Sequence, residues 1–216
     1  NCTFMNNHAN QIGGIAELDG GPGTFEVTLT DVVSDADLDL GPGGGFMLLD
    51  PLAGSALTIY LTNFTLRNGC DAALLSYSHL AGNLFNLTVS NSLFESNQGT
   101  SAGIMNITQT SALQSITVSL KNSQFINNTV TSSNGSLLSI HGSNNCVVNV
   151  TAFNNNFTNN VASDNGGVIA IVAGSDSTLS MDIQDNNFTQ NSATNGGAIC
   201  IDIQDGGQVD LTLFIN

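Results

Sequence analysis

The chain repeats itself about every 31 residues, and this period constrains its fold more than any other feature. Each repeat holds a segment in which apolar and polar residues alternate. The first apolar position of that segment recurs at Phe25, Leu57, Phe85, Ile116, Val148, Leu179 and Val209. Alternation with a period of two is typical of a half-buried β-strand. The period therefore predicts a stack of similar coils built from strands.

Two further phrases recur with the alternating segment. One is a Phe-x-x-Asn turn, such as Phe125-Ile126-Asn127-Asn128, and the other is an apolar segment introduced by glycines, such as Gly166-Gly167. The second segment is apolar on both faces, which indicates a strand covered on both sides.

An internal period of strands and turns without a helical pattern indicates a solenoid. A repeat of about 31 residues is too short for a propeller blade of ~40 to 45 residues. The sequence predicts an all-β, right-handed parallel β-helix of about seven coils, with residues 1–216 as a single β-solenoid domain.

Stacked coils should place like residues on like, and three columns are interpreted as structural ladders. Asparagine tolerates turn conformations and can bond to the next coil, so a structural role is favoured over direct function. We expect Asn1 and Asn63 to be buried in turns. The columns are Phe94, Phe125, Phe157 and Phe188; Asn97, Asn128, Asn160 and Asn191; and Asp31, Asn63, Asn91, Asn122, Asn154 and Asp185.

The paired Phe-x-x-Asn and Gly-Gly-[Ala/Ile/Val] phrases resemble the repeat of the chlamydial polymorphic outer-membrane proteins and of related bacterial and eukaryotic surface proteins. The resemblance covers essentially the whole chain, although Ser34 and Leu66 stand where phenylalanine is expected. It implies a right-handed β-helix, an extracellular or cell-surface location, and an adhesive or structural task rather than catalysis.

Charge limits the partners of the chain. The chain has seventeen acidic residues but only two basic ones, Arg67 and Lys121, and its net charge is −15. Nucleic acid and anionic membrane surfaces would repel such a chain. No stretch reaches the ~18 to 20 apolar residues of a transmembrane helix, so membrane insertion is not expected.

Nine Asn-x-Ser/Thr sequons are the main modification signal. Asn1 and Asn63 are set aside because they fall in the turn column. An unmodified, asparagine-rich solenoid remains the alternative. Glycans are predicted on Asn86, Asn149, Asn156, Asn187 and Asn134 in preference, with Asn106 and Asn127 as further sites.

Four cysteines, Cys2, Cys70, Cys146 and Cys200, lie far apart and form no zinc motif. No two share a column in neighbouring coils, as the short Cα separation of a disulfide requires. Free or structural thiols are slightly favoured, and pairing of Cys2 with Cys200 between molecules remains open.

The spacing of Asp35, Asp37 and Asp39 resembles the opening of a calcium loop. The twelfth position from Asp35 is Phe46 rather than a bidentate glutamate. A solvated acidic loop is therefore favoured over calcium, and no other cofactor is expected.

An enzyme is disfavoured by the same composition. Asp182 and Asp210 share one outward face, but a lyase for acidic sugars would need more basic residues than this chain has. A hydrolase or lectin would need aromatic platforms for sugar rings, and the chain has no tryptophan and two tyrosines.

The repeat keeps its phase to both termini, which predicts assembly. We expect rods that stack end to end into a glycosylated extracellular filament, with further copies of the chain as partners. The chain would then be a repeating protomer or an excerpt of a longer solenoid. A surface adhesin is the alternative, with the irregular stretch from Ser34 to Gly45 as its binding loop, and a polysaccharide-active enzyme is third.

Overall fold

A computed structural model describes residues 2–5, 8–9, 16–20, 23–35, 38–39, 47–51, 55–69, 75–79, 84–99, 104–109, 115–132, 134–135 and 137–214. These residues contain strands and turns but no helix, hence none that could cross a membrane. The strands are β1 (Cys2–Met5), β2 (His8–Ala9), β3 (Ala16–Gly20), β4 (Thr24–Thr30), β5 (Val32–Asp35), β6 (Leu38–Asp39), β7 (Met47–Pro51), β8 (Ala56–Thr62), β9 (Thr65–Arg67), β10 (Leu75–His79), β11 (Leu84–Ser90), β12 (Leu93–Glu95), β13 (Gln98–Gly99), β14 (Met105–Gln109), β15 (Ser115–Lys121), β16 (Gln124–Ile126), β17 (Thr129–Val130), β18 (Leu138–Gly142), β19 (Val147–Phe153), β20 (Asn156–Thr158), β21 (Val161–Ala162), β22 (Ile169–Ala173), β23 (Thr178–Gln184), β24 (Asn187–Thr189), β25 (Ile199–Ile203) and β26 (Gln208–Phe214).

Three large sheets, each of seven strands, form a parallel β-solenoid with repeats of about 31 residues. The chain visits them in a fixed order: short sheet, middle sheet, long sheet. Two small sheets, β13-β17-β21 and β2-β6, accompany them. The short sheet is β1, β5, β9, β12, β16, β20 and β24; the middle sheet is β3, β7, β10, β14, β18, β22 and β25; the long sheet is β4, β8, β11, β15, β19, β23 and β26.

The predicted register of the alternating segment is confirmed along the whole long sheet. Phe85 pairs with Leu57 on one side and with Ile116 on the other, and the remaining first apolar positions follow in the same column. The short sheet aligns Ser34 with Leu66 and Leu66 with Phe94, so these two residues occupy the phenylalanine column as expected.

The core lies between the sheets and runs along the solenoid. Inward residues of the inner long strands, such as Val118 on β15, are fully buried, while their neighbours face outward. The middle strand β22 is buried on both faces over most of its length, as the glycine-introduced segment predicts.

The corners are made by residues with a left-handed backbone. One corner, between a long and a short strand, is called the first corner; its residues have φ between 50° and 56°. This conformation is costly for most residues, but asparagine and aspartate tolerate it. The first-corner residues are Asp31, Asn63, Asn91, Asn122, Asn154 and Asp185.

The glycine pairs are needed for a different reason, namely that there is no space for a Cβ atom at these positions. Gly166 has φ of 63°, and a Cβ there would overlap the carbonyl oxygen of Ile169. A Cβ on Gly167 would likewise overlap the carbonyl oxygen of Gly197 in the next coil. The Gly-Gly phrase is therefore required by backbone shape and close approach.

The first corner can be tested by a pair of substitutions at Asn154. Replacement by alanine should lower the free energy of unfolding by about 1 kcal/mol, because alanine lacks the local bonding that makes the left-handed region tolerable. Replacement by glycine removes the same side chain but accepts the conformation. Urea unfolding followed by circular dichroism would measure both, and equal losses would contradict the account.

Candidate functional site

The aromatic column is a continuous internal stack. Ring centroids of Phe94, Phe125, Phe157 and Phe188 lie 5.1, 5.0 and 4.7 Å apart, and the rings are nearly parallel. Phe64 adds a tilted ring 5.9 Å from Phe94. The first three rings of the stack are fully buried, so these three fix packing and offer no surface to a ligand.

The asparagine column beside it is equally internal. Asn128 is completely buried, and its Oδ1 accepts hydrogen bonds from the backbone N–H and Nδ2 of Asn97 at 3.2 and 2.9 Å. Its Nδ2 donates to Oδ1 of Asn160 at 2.9 Å and to the carbonyl oxygen of Phe94 at 3.1 Å. One side chain thus joins three successive coils, and Asn191 continues the pattern.

A second buried polar column follows the first corner and was not predicted from the sequence. Oγ of Ser123 accepts the backbone N–H of Ser92 at 3.1 Å, and Oδ1 of Asn155 accepts that of Ser123 at 2.9 Å. Asn186 extends the column by the same bond to Asn155. The residue type changes from serine to asparagine along this column, so no single residue type marks it in the sequence. The only sequence signal is that each member directly follows a first-corner residue.

The first-corner column points outward, and the expectation that Asn63 is buried is wrong. Asn63 is exposed, because its left-handed backbone turns the side chain away from the core. The column still bonds from coil to coil. Asn63 Nδ2 donates to Oδ1 of Asp31 at 3.0 Å, and Asn154 Nδ2 donates to Oδ1 of Asn122 at 3.0 Å.

The seven predicted glycosylation sites fall into two exposure classes. Asn127 and Asn187 are exposed. The side chains of the other five predicted sites are half-buried on the outer surface; Asn1 lies outside the described residues. The half-buried set is Asn86, Asn106, Asn134, Asn149 and Asn156.

Of the three candidate metal residues, only Asp35 has a described side chain. Oδ1 of Asp35 accepts a hydrogen bond from Asn68 at 2.9 Å. Asp37 lies outside the described residues, and only the backbone of Asp39 is described. No group of three or more His, Cys, Asp or Glu side chains gathers among the residues that are described.

The described cysteines are unpaired. Cys146 is buried, and its Sγ lies 3.3 Å from Oγ of Ser177, whereas Cys2 is exposed and Cys200 half-exposed. Cys70 lies outside the described residues.

Burial lowers the pKa of His141, so its imidazole is neutral at pH 7 and adds no positive charge.

The outer surface has two neighbouring depressions at the first corner. The corner groove has a volume of about 470 Å³ and is lined largely by amides, including Asn122, Asn154 and Asn187. Beside it, the Phe153 pocket has a volume of about 230 Å³. Its lining residues include Lys121, Thr151, Phe153, Asp182 and Gln184.

Residues 187–202 match the family model of the Chlamydia polymorphic membrane protein repeat. The chain resembles this repeat family. The matched residues contain the Phe188 turn and the Gly196-Gly197 phrase, so the resemblance carried by these phrases is confirmed. No curated protein and no solved structure matches the chain.

The buried asparagine column predicts a large effect at Asn128. Replacement by alanine would leave the N–H of Asn97 and the carbonyl oxygen of Phe94 without these partners. Each buried polar group left without a hydrogen-bond partner costs ~1 to 3 kcal/mol. The free energy of unfolding should therefore fall by about 3 kcal/mol.

Gln124→Ala is the matched control, since Gln124 is exposed on β16 in the same coil. Urea unfolding would compare the two variants with the parent protein. A loss at Asn128 no larger than the loss at Gln124 would show that the column does not hold the coils together.

Proposed function

We propose that this protein is a non-catalytic extracellular structural protein that stacks end to end into a filament or cell-surface fibre, without a cofactor. The repeat match and the β-solenoid fit a surface-exposed structural or adhesin-like protein. Seven strands in each large sheet support a helix of seven coils. A right hand is proposed because parallel crossover connections are right-handed in almost all proteins.

The observation that carries the proposal is the continuous register of the long sheet from β4 to β26, which further coils can extend. Leu179 and Met181 on β23 are almost wholly buried, whereas Val209 and Leu211 in the same columns on β26 are 50% and 44% exposed. β26 is the last strand of its sheet, so one of its edges has no partner among the described strands. Apolar, unpaired edges of this kind tend to recruit another strand.

The outermost described strands of the long and middle sheets match in length. β26 and β4, the outermost strands of the long sheet, both have seven residues, and β25 and β3 of the middle sheet both have five. All strands run parallel, so a second copy could continue the pairing without turning over. Such a head-to-tail contact does not close on itself and generates a filament.

The proposed joint brings like charges together. If β26 continues the register of the long sheet onto β4 of the next copy, Val209 lies opposite Phe25 and Asp210 opposite Glu26. Like charges directly opposite each other weaken a strand pair. Assembly should therefore be favoured by salt, which screens exposed charges.

Reversing the charge on one side of this joint, and then on both sides, tests the proposal. Asp210→Lys would face Glu26 with an opposite charge and should promote assembly at low salt, while the double variant Glu26→Lys/Asp210→Lys should suppress it again. Sedimentation velocity and negative-stain microscopy would measure filament length. Asp164→Lys is the control, because it changes the net charge equally at an exposed site away from β26.

Monodisperse short rods from the parent protein and from Asp210→Lys at every salt concentration would contradict stacking. In that case the solenoid would be better explained as a segment of a surface adhesin, which the repeat match also supports. Its proposed location, extracellular or at the cell surface, rests on the same match.

Glycosylation of the outer surface is the second part of the proposal. Asn187 is exposed at the start of β24, and its Oδ1 accepts the hydroxyl of Thr189 at 2.8 Å within the same sequon. Native protein should lose mass on treatment with an N-glycosidase, and Asn187→Gln should remove one glycan. Asn195→Gln, at an exposed asparagine outside any sequon, is the control, and an unchanged native mass would refute this part.

A further inference from the structure

We propose that the Phe153 pocket is a binding site for a neutral, linear oligosaccharide. This inference goes beyond the structural task, because the pocket lies on the side of the solenoid and not at its open end. Neither the repeat match nor the ladders assign a role to it.

Phe153 provides the flat surface that a sugar ring needs. It ends β19 facing outward, and 44% of it is exposed. Its register partners are Lys121 on β15 and Gln184 on β23, so the ring lies between two polar side chains of neighbouring coils. The apolar face of a pyranose ring stacks on such an aromatic surface while its hydroxyls meet the polar rim.

Asp182 provides a prepared acceptor for two hydroxyls. Nε2 of Gln184 donates to both of its carboxylate oxygens, at 2.8 and 3.0 Å, which fixes the plane of the carboxylate. Each ionised oxygen can accept more than one hydrogen bond. A vicinal diol of a pyranose can therefore bind both oxygens at once, with Thr151 and Lys121 beside it in the same pocket.

The corner groove extends this pocket to further sugar units. Lys121, Phe153 and Gln184 are each followed in the chain by a residue that lines the groove, namely Asn122, Asn154 and Asp185. Coils lie about 4.8 Å apart, close to the length of one pyranose unit. A linear chain along the solenoid would therefore meet similar amide donors and acceptors at each unit.

Charge selects neutral sugars. The chain carries −15 in total, and Lys121 is the only cation that lines the pocket. An acidic polysaccharide would be repelled by this field, whereas a neutral chain would not.

The test uses the full chain produced in a host that adds no N-glycans, so that no attached sugar competes. The probes are linear hexasaccharides of glucose, mannose, galactose and N-acetylglucosamine, titrated by calorimetry and by NMR saturation transfer. At least one should bind, and Phe153→Ala should weaken it roughly three- to tenfold. Phe153→Leu, which keeps the apolar bulk, should weaken it similarly, because the flat ring is lost.

Val147→Ala is the matched control, since Val147 is 41% exposed on the outer face of the same strand and should leave affinity unchanged. Asp182→Asn keeps the shape of the side chain and should reduce binding. The proposal is overturned if no hexasaccharide binds, or if Val147→Ala weakens binding as much as Phe153→Ala. Oligosaccharide binding can be measured whether the protein is a single rod or a stacked filament. Its outcome is therefore independent of the stacking proposal.

Discussion

A single coil of this solenoid cannot satisfy its own backbone hydrogen bonds. The N–H and C=O groups of its strands point along the solenoid axis, and their partners lie in the coils on either side. Register is therefore the condition on which everything else depends. A slip of one residue in a long strand would carry its inward residues to the surface, and the aromatic stack and the buried polar columns would lose their partners.

The asparagine column secures this register better than apolar packing can. Apolar contact is non-directional, so a core of similar side chains permits sliding. Asn128 instead requires particular atoms of Asn97, Phe94 and Asn160 at hydrogen-bonding distance. Structures of this kind separate two tasks: phenylalanine and aliphatic residues provide burial, and amides specify alignment.

The sequence predicted the repeating strands well, because alternation in a strand has a direct physical cause and recurs seven times. It could not tell an outward column of asparagines from an inward one. Asn63 and Asn160 are the same residue type at equally regular positions, yet the first is exposed and the second is buried. What distinguishes them is the left-handed backbone of Asn63, which follows from where the coil turns.

The surface was harder to predict than the core for a related reason. Phe153 belongs to a residue type that the repeat uses for its interior, and its exposure follows from its place at the outward end of β19. Composition suggested that aromatic platforms are scarce, which is true of the chain as a whole. Register nevertheless brings Lys121 and Gln184 to either side of this one ring.

The ladders also give the molecule a direction. Between the side chains of the buried column, Asn97 donates to Asn128 and Asn128 to Asn160, towards the later coil. In the exposed corner pair the order is reversed, and Asn154 donates back to Asn122. Two rows of side-chain hydrogen bonds with opposite directions therefore run along the same axis, and the two directions along the solenoid are chemically unlike. Any polymer that continued these rows would inherit this polarity.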